Sequence, residues 1–127
     1  MELYMLSPLC MEIAGIGVDV VEIEEVRKAR FKKRLAEYFL TREEMRYIPK
    51  GSKEVEFLAS RFAAKEATIK AFPKKLRPHD FAVLKKGARP YIVFSSQKDA
   101  LRYTVHISIS HTKRIATAVA IVVECAV

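Results

Sequence analysis

The longest regular pattern in the sequence is helical. It covers residues 53–72 and ends at Pro73. At 100° per residue, four large apolar side chains share one narrow stripe of this helix, namely Leu58, Phe62, Ile69 and Phe72. Such a stripe is typical of a helix that lies against a hydrophobic core. The remaining sequence must therefore supply the layer that covers it.

The segments before and after this helix predict a mixed fold. Residues 13–23 are apolar and β-branched and predict a buried strand, and Thr41 with Glu44 forms a capping-box signature that begins a helix. Further predicted elements are broken helical pieces over residues 22–40, a hairpin over 81–86 and 90–94, a short helix over 97–102, and strands over 104–110 and 115–123. This order predicts an α+β fold with a largely antiparallel sheet.

The length of 127 residues allows one domain with one core. We assign residues 11–127 to that domain. Residues 1–10 show no hydrophobic period and precede a second methionine, Met11. We therefore interpret them as an N-terminal appendage or as the sign of an alternative start.

Charge and cysteine content limit the classes of partner and compartment. The formal net charge of +8 favours an anionic partner, although a basic surface that serves only solubility is an alternative. No uncharged apolar run approaches the roughly 20 residues of a membrane span, and the start of the chain lacks the features of a secretory signal. Cys10 and Cys125 form no CxxC pair and match no zinc spacing. We expect a cytoplasmic protein that does not act at a membrane.

Asp19 departs from the pattern around it, because it places a carboxylate within an apolar strand. A buried carboxylate is costly unless it is paired, hydrogen-bonded or bound to a cation. Gly15 and Gly17 precede it at a spacing of two and leave the same strand face bare. The alternative is an aspartate that caps the next helix. A dinucleotide-binding fingerprint does not fit, because its third glycine is missing.

The long helix contains the second departure, since Lys65 stands in the middle of its apolar stripe. The ordinary explanation is a lysine whose stem packs while its ammonium reaches water. Glu66 and Lys70 lie together on the flank of the stripe at a spacing of four. They form either a surface ion pair or, with Asp19, part of a metal site. His111 opens a predicted turn, where a lone histidine is more often structural than catalytic.

Two segments resemble the signature segments of the holo-acyl-carrier-protein synthases, which are 4′-phosphopantetheinyl transferases. They are GIGVDVVEIEEV at residues 15–26 and RFAAKEATIKAF at residues 61–72. FLTREEM and ISISHTKRIATAVAIVVE are similar to the family's intervening helix and closing strand pair. The resemblance implies a homotrimer with coenzyme A held between neighbouring subunits. It also implies transfer of 4′-phosphopantetheine from coenzyme A to a serine of apo-acyl carrier protein, with release of adenosine 3′,5′-bisphosphate, in fatty acid biosynthesis.

The same resemblance implies roles for individual residues. Asp19 and Glu66 match the magnesium ligands, and Glu66 with Lys70 would act in catalysis. Contacts to coenzyme A phosphates are implied for Arg61, Lys65 and His111, and for Lys65 this gives a reason to stand in the stripe. The basic segment RKARFKKR at residues 27–34 is expected to dock the acidic carrier protein, with a solvated charge run as the alternative.

The chain departs from the family pattern in two places. Relatives usually carry Gly-Thr-Gly where this chain has Pro73, Lys74 and Lys75, and an arginine where it has Glu25, with Arg27 as a possible substitute.

A nucleic-acid-binding module is the first alternative to a transferase, but no RNP1-like or zinc-finger pattern appears, and we expect no nucleic-acid partner. An inactive interaction protein of the same fold is the second alternative.

Overall fold

The structure is a computed structural model and describes residues 11–125. Short connections join strands and helices in the following order: β1 (Met11–Glu22), α1 (Ile23–Lys28), α2 (Lys32–Phe39), α3 (Arg42–Met45), α4 (Glu54–Ala71), β2 (Phe81–Lys86), β3 (Arg89–Phe94), α5 (Gln97–Arg102), β4 (Tyr103–His111) and β5 (Ile115–Cys125). Single turns of 3-10 helix precede α4 and β2. The predicted appendage, residues 1–10, lies outside the described residues.

The strands form two antiparallel sheets. In the larger sheet β5 lies between β1 and β4, whereas β2 and β3 form a separate hairpin. Gly87 in the hairpin turn has a φ of +64°, which favours glycine. The predicted α+β class with antiparallel pairing is confirmed, although the strands divide between two sheets.

β1 lies directly on α4 because two of its residues have no side chain. A Cβ at Gly15 would collide with the carbonyl oxygen of Ala71, and one at Gly17 with that of Ala67. The buried face of β5 contributes small residues to the same interface, namely Ala116, Ala118 and Ala120. Strand and helix backbones therefore approach closely, and residues that follow the glycines on β1 are fixed relative to α4.

The α4 helix is buried on more sides than its predicted apolar stripe indicates. Leu58, Phe62 and Phe72 are buried as expected, but so is every residue from Leu58 to Lys65. The reason is that α4 contributes to both hydrophobic clusters, one under the sheet and one under the short helices α1 and α2. Polar side chains on α4 must therefore find partners within the protein.

The breaks between the short helices agree with the sequence pattern. The helical region after β1 divides at residues 29–31, and α3 begins with the predicted capping box, in which Glu44 N donates to Thr41 Oγ1 and Thr41 N donates to Glu44 Oε1. None of the described helices has the length and hydropathy of a membrane span.

The outer face of the larger sheet is apolar and uncovered by any other described element. Ile16, Val18 and Val20 of β1 are each more than half exposed, and Val119 of β5 lies beside Val18. Exposed apolar surface of this extent on a sheet commonly marks an interface with another chain.

Candidate functional site

Asp19 and Lys70 meet where β1 crosses α4. The Lys70 ammonium lies 3.0 Å from Asp19 Oδ1 and also donates to the Val18 carbonyl at 3.1 Å. The Asp19 side chain is 18 % exposed and that of Lys70 is 53 % exposed. Asp19 is therefore paired and accessible from solvent, and it does not cap α1, whose cap position is occupied by Glu22.

Glu66 lies one helical turn before Lys70 and is partly exposed. Its neighbour Ala67 faces Gly17 of β1, so this turn of α4 lies against the strand that carries Asp19. We call Asp19, Glu66 and Lys70 the carboxylate corner. No cluster of three or more metal-ligating side chains occurs within residues 11–125. Two carboxylates nevertheless fit magnesium, which commonly takes one or two from the protein and completes its shell with phosphates and water.

A second feature is a cleft of about 300 Å³ between the first half of α4, the hairpin and the end of β4. Its walls include one acidic side chain, Glu56, and four basic side chains from separate elements: Lys53, Arg61, Lys85 and His111. Phe57 and Pro90 supply apolar surface. We call this the basic cleft. Its chemistry suits a ligand with an aromatic ring and phosphate groups.

Arg61 is the most deeply placed cation of the basic cleft. The residue is 5 % exposed, and its guanidinium carbon lies 4.4 Å from the centroid of the Phe57 ring. Its Nε is buried without a hydrogen-bond partner among residues 11–125. Burial lowers the pKa of Arg61 and the nearby Glu44 carboxylate opposes this effect, but an arginine remains charged at neutral pH.

His111 lies at the rim of the cleft, where its Nε2 is 3.4 Å from Glu56 Oε1. Its side chain is 43 % exposed, so a ligand can reach it. The structure therefore brings Arg61 and His111 together at one cleft.

The structure does not support the expectation that Lys65 contacts a coenzyme A phosphate, because its ammonium does not lie in the basic cleft. The residue is fully buried; its Nζ lies 2.7 Å from Glu44 Oε1 and donates to the carbonyls of Pro78 and Phe81. With its donors occupied in this way, Lys65 cannot contact a phosphate. Burial lowers its pKa, and Glu44 opposes that shift. The position of Lys65 in the apolar stripe of α4 is explained by its buried ion pair with Glu44.

Sequence reasoning missed the second role of Glu44 and several walls of the cleft. The capping box accounts for Glu44 in the sequence, so nothing there indicates that the same carboxylate also pairs with Lys65. Lys53, Phe57 and Lys85 come from three elements, and no local motif connects them.

The two departures from the family pattern lie on the surface. Lys74 pairs with Asp99 at 2.8 Å, and this hydrogen bond raises the pKa of Lys74. Lys75 is exposed. Glu25 is exposed on α1, and Arg27 is bound to Glu24 rather than directed to a site.

The basic segment forms the end of α1, the turn after it and the start of α2. Phe31 is 60 % exposed, and the guanidinium carbons of Arg30 and Arg34 lie 5.9 and 5.5 Å from its ring centroid. Phe62 and Phe72, in contrast, are buried in the core. They therefore offer no stacking surface for bases.

Comparisons with known proteins agree with this architecture. Residues 15–120 match the model of the 4'-phosphopantetheinyl transferase superfamily. A holo-[acyl-carrier-protein] synthase of Bacillus subtilis is 40% identical over 114 residues, which cover 84% of this chain and 92% of the relative. The enzyme of the same name from Fusobacterium nucleatum is 36% identical over 120 residues, covering 87% of this chain and 98% of the relative.

Solved structures give the same result. The Bacillus anthracis holo-(acyl-carrier-protein) synthase in complex with CoA (3',5'-ADP) superimposes with a TM-score of 0.75 at 32% identity, covering 88% of this chain and 97% of that one. The Helicobacter pylori synthase in complex with coenzyme A gives a TM-score of 0.71 at 31% identity, with 84% and 98% covered. The chain therefore belongs to the 4'-phosphopantetheinyl transferase superfamily and is an enzyme of its holo-[acyl-carrier-protein] synthase family.

Proposed function

We propose that this enzyme transfers the 4′-phosphopantetheine group from coenzyme A to a serine of apo-acyl carrier protein, in a magnesium-dependent reaction that supports fatty acid biosynthesis in the cytoplasm. The observation that carries the proposal is the pair of complementary features on α4. The basic cleft offers cations to phosphates, and the carboxylate corner offers oxygens to a metal.

Coenzyme A is proposed to bind in the basic cleft. The Phe57 and Pro90 surface suits the adenine ring, and Arg61 with His111 suits a phosphate of the adenosine 3′,5′-bisphosphate portion. Arg61 lines this cleft and remains charged at neutral pH, which supports this assignment.

The carboxylate corner is proposed to act on the pyrophosphate. Asp19 and Glu66 would hold magnesium, which when bound supplies positive charge to the phosphate oxygens. The serine hydroxyl of the carrier attacks the phosphorus that bears the pantetheine arm, and the bond from that phosphorus to the bridging oxygen breaks. Glu66, or a water molecule that it orients, accepts the serine proton. Lys70 can leave Asp19 and steady the charge on the departing adenosine 3′,5′-bisphosphate.

A homotrimer is proposed because the two features face different sides of one subunit. Arg61 and Lys70 are nine residues apart on α4, which amounts to about 13.5 Å along the axis and about 180° around it. One coenzyme A molecule can meet both features if the cleft comes from one subunit and the corner from its neighbour. The exposed apolar sheet face of β1 and β5 provides a surface for such an assembly.

The carrier protein is proposed to dock on the basic segment. Acidic residues of the carrier can pair with the exposed cations, and Phe31 adds an apolar contact between them. Exposed charges of this kind act mainly on the rate and orientation of encounter.

Incubation of the purified chain with coenzyme A, magnesium and an apo-acyl carrier protein tests the proposal. The intact mass of the carrier should rise by one phosphopantetheine, and adenosine 3′,5′-bisphosphate should appear in equal amount. A carrier with its serine replaced by alanine and a reaction with chelator are the controls. An unmodified carrier, under conditions in which the Bacillus subtilis relative modifies it, would show that the proposed function is wrong.

A further inference from the structure

The Glu44 carboxylate is a buried acceptor shared by three parts of the fold. Glu44 is 1 % exposed. Its Oε1 accepts from Thr41 N at 2.8 Å and lies 2.7 Å from Lys65 Nζ, while its Oε2 accepts from Val83 N at 2.7 Å. This carboxylate therefore joins α3, α4 and β2, and the cation that it contacts directly is Lys65.

Arg61 lies beside this pair without being part of it. Arg61 and Lys65 are one helical turn apart on α4. A cavity of about 310 Å³, which shares Phe57 and Arg61 with the basic cleft, is lined by both Glu44 and Arg61. The two buried cations face a single buried carboxylate, so one positive charge remains in excess within this part of the structure. Arg61, with its unpaired Nε, carries that excess at the wall of the basic cleft.

We propose that Lys65 is a positioning residue that occupies the Glu44 carboxylate and thereby leaves the Arg61 guanidinium available for a phosphate group. A buried carboxylate strongly requires a cationic partner. Without Lys65, the buried cation that remains beside Glu44 is Arg61, which lines the same cavity and interacts with that carboxylate by charge. An Arg61–Glu44 pair would neutralise the charge that Arg61 presents to the basic cleft, although neither Lys65 nor Glu44 lines that cleft.

This inference rests on the proposed function, because it assumes that Arg61 binds a phosphate of coenzyme A. It differs from that proposal because it assigns an effect on phosphate binding to Lys65 and Glu44, which lie outside the basic cleft. We expect the affinity for the bisphosphate to rise with the net positive charge of Arg61, Lys65 and Glu44 together, which is the excess of one described above. Replacing Glu44 by glutamine raises the excess to two, replacing Lys65 by methionine removes it, and the double replacement restores it to one.

Calorimetric titration with adenosine 3′,5′-bisphosphate on the purified assembly tests this order. Lys65→Met should bind about tenfold more weakly than wild type. Glu44→Gln should bind more tightly, and the Lys65→Met/Glu44→Gln double variant should bind as wild type does. Adenosine, which lacks phosphates, should bind all four proteins equally. Arg61→Met is the control that loses phosphate binding directly.

Any result that departs from this order of affinities contradicts the inference. Equal weakening in Lys65→Met and the double variant would show that Lys65 acts by contact or by holding the fold. A parallel loss of adenosine binding would show a structural role. If Lys65→Met does not fold, Glu44→Gln decides, since unchanged or weaker binding of the bisphosphate would overturn the inference. A wild-type protein that does not bind the bisphosphate would overturn the proposed function as well.

Discussion

Asp19 sits within an apolar strand with a cation of its own chain beside it. The sequence indicates that this carboxylate needs a partner, and Lys70 supplies one at 3.0 Å. Since more than half of the Lys70 side chain is exposed, the pair contributes about 1 kcal/mol or less to stability. The role that we propose for Asp19 and Lys70 is therefore one in the reaction and not one in folding stability.

We expect Asp19→Ala and Glu66→Gln each to abolish transfer while the fold is retained. The reason is that each removes a proposed metal ligand at a partly exposed position. Carrier mass gain measures transfer, and thermal unfolding measures the fold, which should melt within a few degrees of wild type. Lys75→Met, outside both features, is the matched control. Wild-type turnover of either variant at saturating magnesium would refute the two-carboxylate site.

Lys65 shows which part of a site the sequence alone can predict. Its position in an apolar stripe identifies it as unusual, since a buried ammonium must be paired. Its partner Glu44 lies 21 positions earlier in the chain, where the capping box already explains a glutamate. The anomaly was therefore predictable and the pairing was not, because only the tertiary fold brings α3 beside α4.

Among the elements, β1 and α4 pack closely because the residues at their contact have small side chains or none. Glycines on the strand and alanines on the helix let the two backbones approach, and the sequence shows this through Gly15 and Gly17. It does not show that α4 is buried almost all round, because that depends on the short helices packing on its other side.

Gly17→Ala should destabilise the protein by roughly 2 kcal/mol or more, because the added Cβ would meet the Ala67 carbonyl and push β1 from α4. Chemical denaturation measures the free energy of unfolding. Gly87→Ala is the matched control. It adds a Cβ into open space at a positive φ and should cost only about 1 kcal/mol. Equal losses in the two variants would show that β1 can move away from α4 without cost.

The α1–α2 region carries the proposed carrier contacts. Replacing Lys32 and Lys33 by glutamate should raise the Michaelis constant for the carrier strongly and leave that for coenzyme A nearly unchanged. The reason is that α2 lies outside the basic cleft. The effect should shrink as salt is added, because screening weakens exposed charges. Equal effects on both substrates, or none on either, would contradict docking at this segment.

For the molecule as a whole, element order and alternation were enough to predict the α+β class. The separation into two sheets was not predictable, because strand partners are chosen by tertiary packing. The outer sheet face is another feature of the whole molecule. Its apolar residues on β1 alternate with the glycines that face α4, so both sides of this strand are specialised for close contact.

Val18→Lys should dissociate the proposed trimer and reduce transfer with it. The substitution places a charge in the centre of the exposed apolar face, where Val18 lies beside Val119. Sedimentation measures the assembly state. Leu101→Lys is the matched control, because Leu101 is 72 % exposed on α5 and should leave the assembly unchanged. A trimeric Val18→Lys protein would exclude this face as the interface.

The opposite placement of Arg61 and Lys70 on α4 has a genetic consequence. If each catalytic centre combines the cleft of one subunit with the corner of the next, a subunit defective in Asp19 and a subunit defective in Arg61 are damaged in different halves of the centre. Each protein alone is inactive, but every mixed trimer of the two contains a single centre with both halves intact. Co-expressing Asp19→Ala and Arg61→Met subunits should therefore restore activity by interallelic complementation, whereas a centre built within one subunit would stay inactive in any mixture.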